Sequence, residues 1–465
     1  MLGKIPKSEI FEKVSSANET LKSNDVDFVI LAGGLGTRTH TNCPKMFLEI
    51  AGQALIRYII NLCAIFSDRI ISVVSPQLIG HHLFDGSVQA IQEKPKGTGD
   101  AIKSAIPFID SENIVIMCSD TPLIESKHIN ALLATDGDVA IIACRIPDDM
   151  LDMPYGRIIF DEHQQFVKIV EHSDINYKEK DYPYANCGIY RIKTNILKKY
   201  IPYLSQDHLS GEYYITDLLS ILNENDVKIS VIMSDEYWPF HGINTLNDLA
   251  LAENIIQKKL RSKFMKNGVK LSDPESVYFS FDSEIGSDVT IEQDVVIKNG
   301  VTIRSGSTIK SFCYLENCVI MENAVIGPFA RIRDQSVMME NAIIGNFVEI
   351  KQSTIGRSAK VKHLSYIGNT YVGYKSNIGA GTITCNYDGV KKHKSVIGDN
   401  VMVGSNCSII SPIKIGDEAL VAAGSVITED VPGNTLAIAR PKQQNLINKA
   451  SEILNRKRRL NRNAT

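Results

Sequence analysis

One stretch of this chain carries side chains that a structural repeat does not need. Residues 363–388 read HLSYIGNTYVGYKSNIGAGTITCNYD and lie inside a run of six-residue repeats. A stacked repeat requires aliphatic residues at one phase and small residues at its turns. This stretch adds a histidine, several tyrosines and asparagines, and a Gly-Ala-Gly sequence. Because packing alone does not require these residue types, we expect this segment to carry out chemistry.

A second stretch, near the start of the chain, has the composition of a phosphate-binding loop. The apolar run DFVILA (27–32) is followed directly by GGLGTR (33–38) and then by Pro44-Lys45. Glycines let consecutive backbone N–H groups approach an anion, and Arg38 and Lys45 add positive charge. Asp120 ends another apolar run, and a carboxylate beside a triphosphate is a reasonable Mg²⁺ ligand. The alternative for Asp120 is a structural role as a helix N-cap.

The repeats around His363 predict a coil of β-strands. Aliphatic residues recur every six positions in three runs: Ile285, Ile291, Ile297, Ile303, Ile309 and Leu315; Ile320, Ile326 and Ile332 in a shifted phase; and Ile397, Val403, Ile409, Ile415 and Val421. An α-helix rotates a six-residue stripe away from one face, whereas a coil with three sides per turn keeps it inside. We therefore predict a parallel β-helix. Residues 386–395 break the repeat, so we expect them to form a loop that leaves the coil.

The first half of the chain has the pattern of an α/β domain. Apolar runs at 27–32, 70–75, 113–120, 139–145 and 227–233 alternate with helical patterns. This alternation indicates a mostly parallel sheet, in which ligands bind at the carboxyl ends of the strands. Residues 246–268 have helical periodicity and end at a glycine, which predicts a connecting helix.

Composition limits the possible classes of protein. The chain has 465 residues, a net charge of −3 and 44% hydrophobic residues, which indicates two or three folded domains and gives no case for nucleic-acid binding. Nine cysteines without a CxxC pair are expected to be buried in a reducing compartment. No membrane span or secretory signal is predicted. A short amphipathic helix is expected around residues 5–14. The basic tail is expected to be a solvated or disordered end, or alternatively to attract polyanionic ligands.

A series of motifs identifies a resemblance that covers about residues 27–443. The first half contains, in order, LAGGLGTR…PK, QEKPKGTGDA, SDTPL, YGRI, VEHSD, NCGIY, GEYYITD and GIN, and the second half contains GNFVEIK, HLSYIG, NIGAGTITCNYDG, KHK and AGSVIT. This series resembles the bacterial bifunctional family of UDP-N-acetylglucosamine pyrophosphorylase joined to glucosamine-1-phosphate N-acetyltransferase.

The resemblance implies a fold and a domain plan. It implies an N-terminal extension (1–26), a Rossmann-like nucleotidyltransferase domain (27–245), a connecting helix (246–268), a left-handed parallel β-helix of hexapeptide repeats (269–443) and a basic tail (444–465).

The resemblance also implies two reactions. Acetyl-CoA would acetylate glucosamine 1-phosphate, and UTP with Mg²⁺ would then convert the product to UDP-N-acetylglucosamine and pyrophosphate. That sugar nucleotide feeds peptidoglycan and lipopolysaccharide synthesis, which implies a bacterial cytoplasm. The resemblance further implies a homotrimer through the β-helix, with the acetyl-transfer site between chains. Neither a nucleic acid nor a membrane is an implied partner.

The resemblance assigns roles in the nucleotidyltransferase domain. Lys45 would hold the phosphates of UTP, Arg38 would stabilise charge during the transfer, and Asp120 and Asn244 would bind Mg²⁺. The remaining nucleotide and sugar contacts would be Leu31, Ala32, Gly33, Gly34, Gln92, Gly97, Thr98, Cys118, Ser119, Gly156, Glu171 and Asn186. Of these, Gln92 with Gly97 and Thr98 would recognise the uracil, and the last three would line the sugar site.

The β-helix receives a second set of roles. His363 would be the general base, although a structural histidine is the alternative. Arg333 and Lys351 would hold the sugar phosphate, and each taken alone is equally consistent with a solvated face. The sugar contacts would be Tyr366, Asn377, Asn386 and Tyr387. The acetyl-CoA contacts would be Ala380, Ser405, Ala423 and Arg440.

Four positions depart from the family's usual pattern. Gly33 replaces an alanine, Leu35 a polar or basic residue, Ser119 a glycine and Asp100 a histidine. The alternative function therefore keeps both folds but combines an active acetyltransferase half with an altered or silent nucleotidylyltransferase half. A third hypothesis is a non-enzymatic scaffold, as in exchange-factor subunits of eukaryotic translation, but a scaffold would not require Lys45 or His363.

Overall fold

A computed structural model describes residues 25–34, 43–150, 155–175, 182–205 and 211–462. The chain divides into two compact units, Met1–Lys258 and Lys259–Thr465. The amphipathic helix expected around residues 5–14, and the candidate catalytic residue Arg38, lie outside the described residues. Within the described part of the chain, no helix is both long and apolar enough to cross a membrane.

The first unit is built on a nine-stranded sheet whose main strand order is β11-β7-β10-β6-β1-β4-β5, with β8 beside β10 and β9 beside β8. The strands of this unit are β1 (Val26–Ala32), β2 (Glu49–Ile50), β3 (Gln53–Ala54), β4 (Ile70–Val74), β5 (Val88–Ile91), β6 (Asn113–Cys118), β7 (Val139–Arg145), β8 (Arg157–Phe160), β9 (Phe166–Val170), β10 (Tyr184–Lys193) and β11 (Ile229–Ser234). The separate pair β2 and β3 forms a small antiparallel hairpin. Strands β1, β4, β5 and β6 pair in parallel, as do β7 and β11, whereas β10 runs antiparallel to both of its neighbours in the main order. The sheet is therefore mixed rather than mostly parallel as predicted, because β8, β9 and β10 pair only in antiparallel fashion.

Helices cover both faces of this sheet. They are α1 (Leu55–Phe66), α2 (Thr98–Ala105), α3 (Ser126–Ala134), α4 (Thr194–Tyr200) and α5 (Ile215–Glu224). Two further helices of the chain are α6 (Leu246–Lys266) and, near the C-terminus, α7 (Lys449–Arg462). Side chains of successive strand residues point to opposite faces. Ile30 therefore packs in the core that contains Ile59 of α1, and Val29 packs in the core that contains Leu218 of α5.

The second unit is a parallel β-helix, as predicted. Its first face contains Lys270–Leu271, Thr290–Ile291, Thr308–Ile309, Val325–Ile326, Ile343–Asn346, Lys360–His363, Asn377–Ile378, Met402–Val403, Leu420–Val421 and Leu436–Ala437. Its second face contains Tyr278–Phe279, Val296–Ile297, Tyr314–Leu315, Arg331–Arg333, Glu349–Lys351, Tyr366–Gly368, Ile383–Cys385, Ser408–Ile410 and Val426–Ile427. Its third face contains Glu284–Ile285, Val301–Ile303, Cys318–Ile320, Ser336–Met338, Thr354–Ile355, Thr370–Val372, Ser395–Ile397 and Lys414–Ile415.

Every strand of the coil pairs in parallel with the strand of the next turn on the same face. The aliphatic residues of the six-residue repeat fill the interior, and Ile291, Ile303 and Ile309 are fully buried. The turns between faces use left-handed backbone, which Asn and Asp adopt at low cost. Asn323, Asn341 and other asparagines occupy such turns with φ near +57°.

Three further features bear on the expectations from sequence. Residues 386–394 leave the coil between the strands Ile383–Cys385 and Ser395–Ile397, so the loop predicted over 386–395 is present and ends one residue earlier. The basic tail contains helix α7, whose described side chains are exposed, so the expectation of a disordered end is wrong there and that of a solvated end holds. All nine cysteines are free thiols, of which six are buried and only Cys43 is exposed.

Candidate active sites

The first unit contains a cavity of ≈ 470 Å³ at the carboxyl ends of β1, β5 and β6. Eleven residues assigned to nucleotide binding line it: Leu31, Gly33, Gly34, Lys45, Gln92, Gly97, Thr98, Cys118, Ser119, Asp120 and Asn244. They come from segments that are far apart in sequence and that the parallel sheet brings to one edge. Its remaining lining residues, Pro95, Ala101, Glu212 and Tyr214, were not assigned from sequence.

Lys45 lies at the centre of the charged part of this cavity. Its Nζ is 2.6 Å from Asp120 Oδ2 and 3.1 Å from Asn244 Oδ1. Two hard oxygen ligands thus converge on one cationic atom. Carboxylate and amide oxygens are the donor types that Mg²⁺ accepts, together with phosphate and water. The donor set therefore fits a divalent cation as well as the lysine.

A partly buried hydrogen-bond network holds Asn244 in place. Asp248 Oδ2 accepts the backbone N–H groups of Asn244 and Thr245 at 3.0 and 2.7 Å, and its Oδ1 lies 3.1 Å from His241 Nε2. Burial alone raises the pKa of Asp248, but these donors outweigh burial and leave the pKa lowered. A charged Asp248 therefore fixes the loop that presents Asn244.

The loop 94–99 is held against the segment that contains Glu212 and Tyr214. Tyr213 N donates to Lys96 O and Gly99 N donates to Tyr213 O, both at 2.8 Å. Gly97 has φ +97°, and a Cβ there would meet Tyr213 O at 2.4 Å, so only glycine fits. The motif GEYYITD was the available signal for Glu212 and Tyr214, but no residue of it was singled out.

The three candidate sugar contacts lie together on β8, β9 and β10 or at their ends. Asn186 N donates to Gly156 O at 3.0 Å, and a Cβ on Gly156 would lie 3.5 Å from Glu171 Oε2. Glu171 accepts a hydrogen bond from Thr216 Oγ1 at 2.7 Å. These three residues do not line the cavity described above. Ala32 does not line it either, because it is buried within β1.

On the coil, positively charged side chains lie close together on the outer surface of the second face. Arg333 and Lys351 are register partners on adjacent strands. Arg333 Nε lies 2.7 Å from Glu349 Oε1, and Lys351 Nζ lies 3.4 Å from Asp334 Oδ2. These carboxylates are acidic counterions at a site that is otherwise suited to an anion.

Lys392 is a third cation beside Arg333 and Lys351 and was not predicted from sequence. It lies on the loop 386–394, beside Lys351, whose ammonium group lowers the pKa of Lys392. Arg333 lowers this pKa further. Three positive groups held this close favour a doubly charged anion such as a phosphate monoester. The basic motif KHK in this loop was the available signal.

Tyr366 and Asn386 lie beside this cation group, around Gly368. A Cβ on Gly368 would be 2.6 Å from both Tyr366 Oη and Asn386 Nδ2. Asn386 is buried and donates from Nδ2 to Asn369 Oδ1 at 2.6 Å. Glycine at 368 therefore leaves the room in which the two side chains sit.

The loop 386–394 is ordered by its own side chains. Asp388 Oδ1 accepts the N–H groups of Val390 and Lys391 at 2.8 Å, and its Oδ2 lies 2.6 Å from His393 Nε2. The contact with His393 lowers the pKa of Asp388 well below its usual value. Tyr387 is exposed, and its hydroxyl donates to Gly389 O.

His363 ends a strand of the first face, at its border with the second. Its Nδ1 is 2.9 Å from Asn346 Oδ1, and the two residues are register partners on successive turns. When Nδ1–H donates to this oxygen, the neutral imidazole has its lone pair on Nε2, and the residue is exposed. An imidazole in that tautomer can accept a proton. Residues 346 and 363 are one turn of the coil apart, and this spacing could have identified Asn346 as the partner of His363 from sequence.

The residues assigned to acetyl-CoA form one column that rises from His363. Gly381 N donates to His363 O, Asn406 N to Ala380 O and Gly424 N to Ser405 O, so each residue lies one turn above the last. Arg440 Nη1 donates to Ala423 O at 2.7 Å at the upper end. Asn377 lies on the same face but in register with Lys360, so it stands apart from this column.

Two protein-family models match parts of the chain. The MobA-like NTP transferase domain matches residues 28–168. The GMPPB C-terminal domain matches residues 315–413, within the coil.

Relatives match over nearly the full length. A bifunctional protein GlmU of Wolbachia pipientis wMel is 41% identical over 423 residues, which cover 90% of this chain and 97% of the relative. That of Zymomonas mobilis is 39% identical over 445 residues, covering 93% and 98%. That of Caldanaerobacter subterraneus subsp. tengcongensis is 36% identical over 440 residues, covering 90% and 96%. With this identity over both units, the chain belongs to the bifunctional GlmU family.

Proposed function

We propose that this chain acetylates glucosamine 1-phosphate with acetyl-CoA and then transfers a uridylyl group from UTP to the product, giving UDP-N-acetylglucosamine and pyrophosphate. The observation that carries the proposal is the group of Arg333, Lys351 and Lys392 on the coil beside Tyr366 and Asn386. The stacking of a β-helix does not need this group. The bifunctional family to which the chain belongs supports both reactions.

Acetyl transfer needs a neutral amine beside a thioester. The three cations hold the phosphate of the sugar, while Tyr366 and Asn386 orient the ring. His363 Nε2 accepts a proton from the amine as the nitrogen attacks the thioester carbonyl, and the C–S bond then breaks to release CoA. Asn346 keeps the imidazole in the tautomer that this step requires. The column from Ala380 to Ala423 receives the extended cofactor, and Arg440 meets its phosphates.

Uridylyl transfer is a displacement at the α-phosphorus of UTP. An oxygen of the sugar phosphate attacks, and the bond to the pyrophosphate leaving group breaks. The glycines at 33 and 34 bring backbone close to the nucleotide, and Lys45 binds its phosphates. Gly156, Glu171 and Asn186 line the sugar site. Arg38 stabilises the charge that develops.

We assign the divalent cation of this reaction as Mg²⁺, held by Asp120 and Asn244. When bound, it supplies positive charge for the triphosphate. The side-chain oxygens of Asp120 and Asn244 support Mg²⁺ over a metal that prefers nitrogen or sulfur ligands.

We also propose that the chain forms a homotrimer through its β-helix and works in a bacterial cytoplasm. A row of exposed phenylalanines on one corner of the coil supports the assembly. Phe312 and Phe329 stack at 4.7 Å between ring centroids, and Phe329 and Phe347 at 5.0 Å. A row of exposed aromatic rings of this kind is typical of a protein interface.

Removing the metal tests whether uridylyl transfer requires a divalent cation and acetyl transfer does not. With a chelator present, we expect pyrophosphate release from UTP and N-acetylglucosamine 1-phosphate to stop, while CoA release continues. Asp120→Asn should act in the same way at saturating Mg²⁺, and Asp148→Asn, on the surface, is the matched control. An equal loss of both activities would contradict the assignment of the metal to the first unit alone.

A further inference from the structure

Gln92 follows β5 at the wall of the nucleotide cavity and is almost completely buried. Its Nε2 is 3.1 Å from Gly97 O and 2.9 Å from Asp100 Oδ2. Both partners can act as acceptors, so the atom between them is the amide nitrogen, and its two hydrogens are both used. Gln92 therefore has only its oxygen, Oε1, to offer to a ligand.

The oxygen of Gln92 points towards Gly33, which also lines the cavity. A Cβ built on Gly33 would lie 2.5 Å from Gln92 Oε1, closer than real Cβ atoms approach. A free glutamine side chain would move aside. This one is buried and tied at its end by Gly97 and Asp100, so it cannot move without losing a hydrogen bond.

Gly33 and Asp100 belong to segments that are far apart in the chain. Both contact the same amide group. We infer that Gly33 and Asp100 form one unit with Gln92: Asp100 fixes the direction of the amide, and Gly33 leaves room for the oxygen that results.

This arrangement determines which base the cavity accepts. The inference rests on the proposed uridylyl transfer and concerns how the base is selected there. Uracil presents an N3–H donor, which Gln92 Oε1 can accept. Cytosine has a bare N3 acceptor at the same position, so two acceptors would face each other, and buried polar groups left unpaired are costly. Asp100 is thus a positioning residue for selection of uracil over cytosine.

The test compares UTP with CTP in the full-length protein. We expect Asp100→Asn to reduce the preference for UTP, in kcat/KM and in binding affinity measured by calorimetry, by about tenfold. The asparagine can donate to Gln92 Oε1 and so allows the amide to turn. Asp148→Asn is the matched control, and CoA release reports intact folding. An unchanged UTP/CTP ratio in Asp100→Asn would overturn the inference.

A double-mutant cycle tests the coupling with Gly33. Gly33→Ala alone should weaken UTP binding by about tenfold. In combination with Asp100→Ala, which frees Gln92 to move, the loss should be smaller than the product of the two single losses. If the loss of UTP affinity in the double variant equals the product of the two single losses, the coupling is contradicted. Calorimetry separates failure of the inference from failure of the proposed reaction: a protein that prefers UTP in binding, yet releases no pyrophosphate, would contradict only the latter.

Discussion

At the scale of single residues, the chemistry of the coil depends on one imidazole and its neighbour. His363 is exposed on the coil surface, and packing does not fix its ring. Asn346 Oδ1, 2.9 Å from Nδ1, is its hydrogen-bond partner and selects which nitrogen is free. A side chain one turn away therefore controls whether His363 can act as a base.

Substitutions at these two residues should have graded effects on acetyl transfer. We expect His363→Ala to reduce kcat for CoA release by about 10²- to 10⁴-fold, which is the usual contribution of a general base. Asn346→Leu should reduce it by about tenfold, because the imidazole then samples both tautomers. Pyrophosphate release from N-acetylglucosamine 1-phosphate serves as the internal control. Equal loss of both activities in His363→Ala would mean that the histidine is structural.

At the scale of elements, Asp27 at the start of β1 ties three parts of the first unit together. Its fully buried carboxylate accepts from Arg69 Nε at 2.5 Å and from the N–H groups of Asp110 and Ser111 at 2.7 and 2.9 Å. Burial alone raises the pKa of Asp27, but these donors outweigh burial and leave the pKa below its usual value.

This lowered pKa predicts the direction of a pH effect on stability. The folded state binds a proton at Asp27 less readily than the unfolded state does. The stabilisation that the charged carboxylate provides is therefore complete above the unfolded pKa and is lost as pH falls through the folded pKa. We expect Asp27→Asn to lower the free energy of unfolding by about 2 kcal/mol at neutral pH, since the charged pairing is lost. Denaturant unfolding from pH 7 to pH 3 should show the difference between wild type and variant shrinking. A constant difference would contradict this role.

The local sequence pattern predicted most of the helices and strands but only part of the two candidate active sites. The six-residue spacing of Ile291 and its successors predicted the coil, because a period of six is inconsistent with a helix. Strand β10 was not predicted as a whole, since YANCGIYRIK has no clean alternation and its register shifts between Asn186 and Tyr190. Lys392 lies in a loop without periodicity. Glu212 reaches the cavity through pairing with a loop more than a hundred residues earlier in the chain, which local sequence does not encode.

At the scale of the whole molecule, one corner of the coil carries three phenylalanines, Phe312, Phe329 and Phe347, whose presence there requires an explanation. Each has left-handed backbone, with φ between +54° and +61°, and each is about half exposed. Other turns of this coil use Asn there, which adopts this conformation more easily. Phenylalanine at these turns lowers neither strain nor exposure, which supports the proposed contact with another chain.

Replacing two of these phenylalanines separates assembly from folding. The double variant Phe329→Asn with Phe347→Asn suits the left-handed turns and should leave the coil as stable as before. We expect it to sediment as a smaller species than wild type. It should also lose most acetyl transfer, because the resemblance implies that this site lies between chains of the trimer, while pyrophosphate release continues. Asn323→Ser, at a turn without aromatic residues, is the control. A variant that still sediments as a trimer would rule out this corner as the interface.

The central claim, that one chain carries out both reactions in order, is tested most directly by a coupled assay. Wild-type protein receives glucosamine 1-phosphate, acetyl-CoA, UTP and Mg²⁺, and free CoA and pyrophosphate are measured independently. We predict that both products appear, and that omitting acetyl-CoA abolishes the pyrophosphate. Release of CoA without pyrophosphate would contradict the claim and leave an acetyltransferase with a silent first unit. The absence of both products would contradict acetyl transfer by the second unit, on whose product the reaction of the first unit depends.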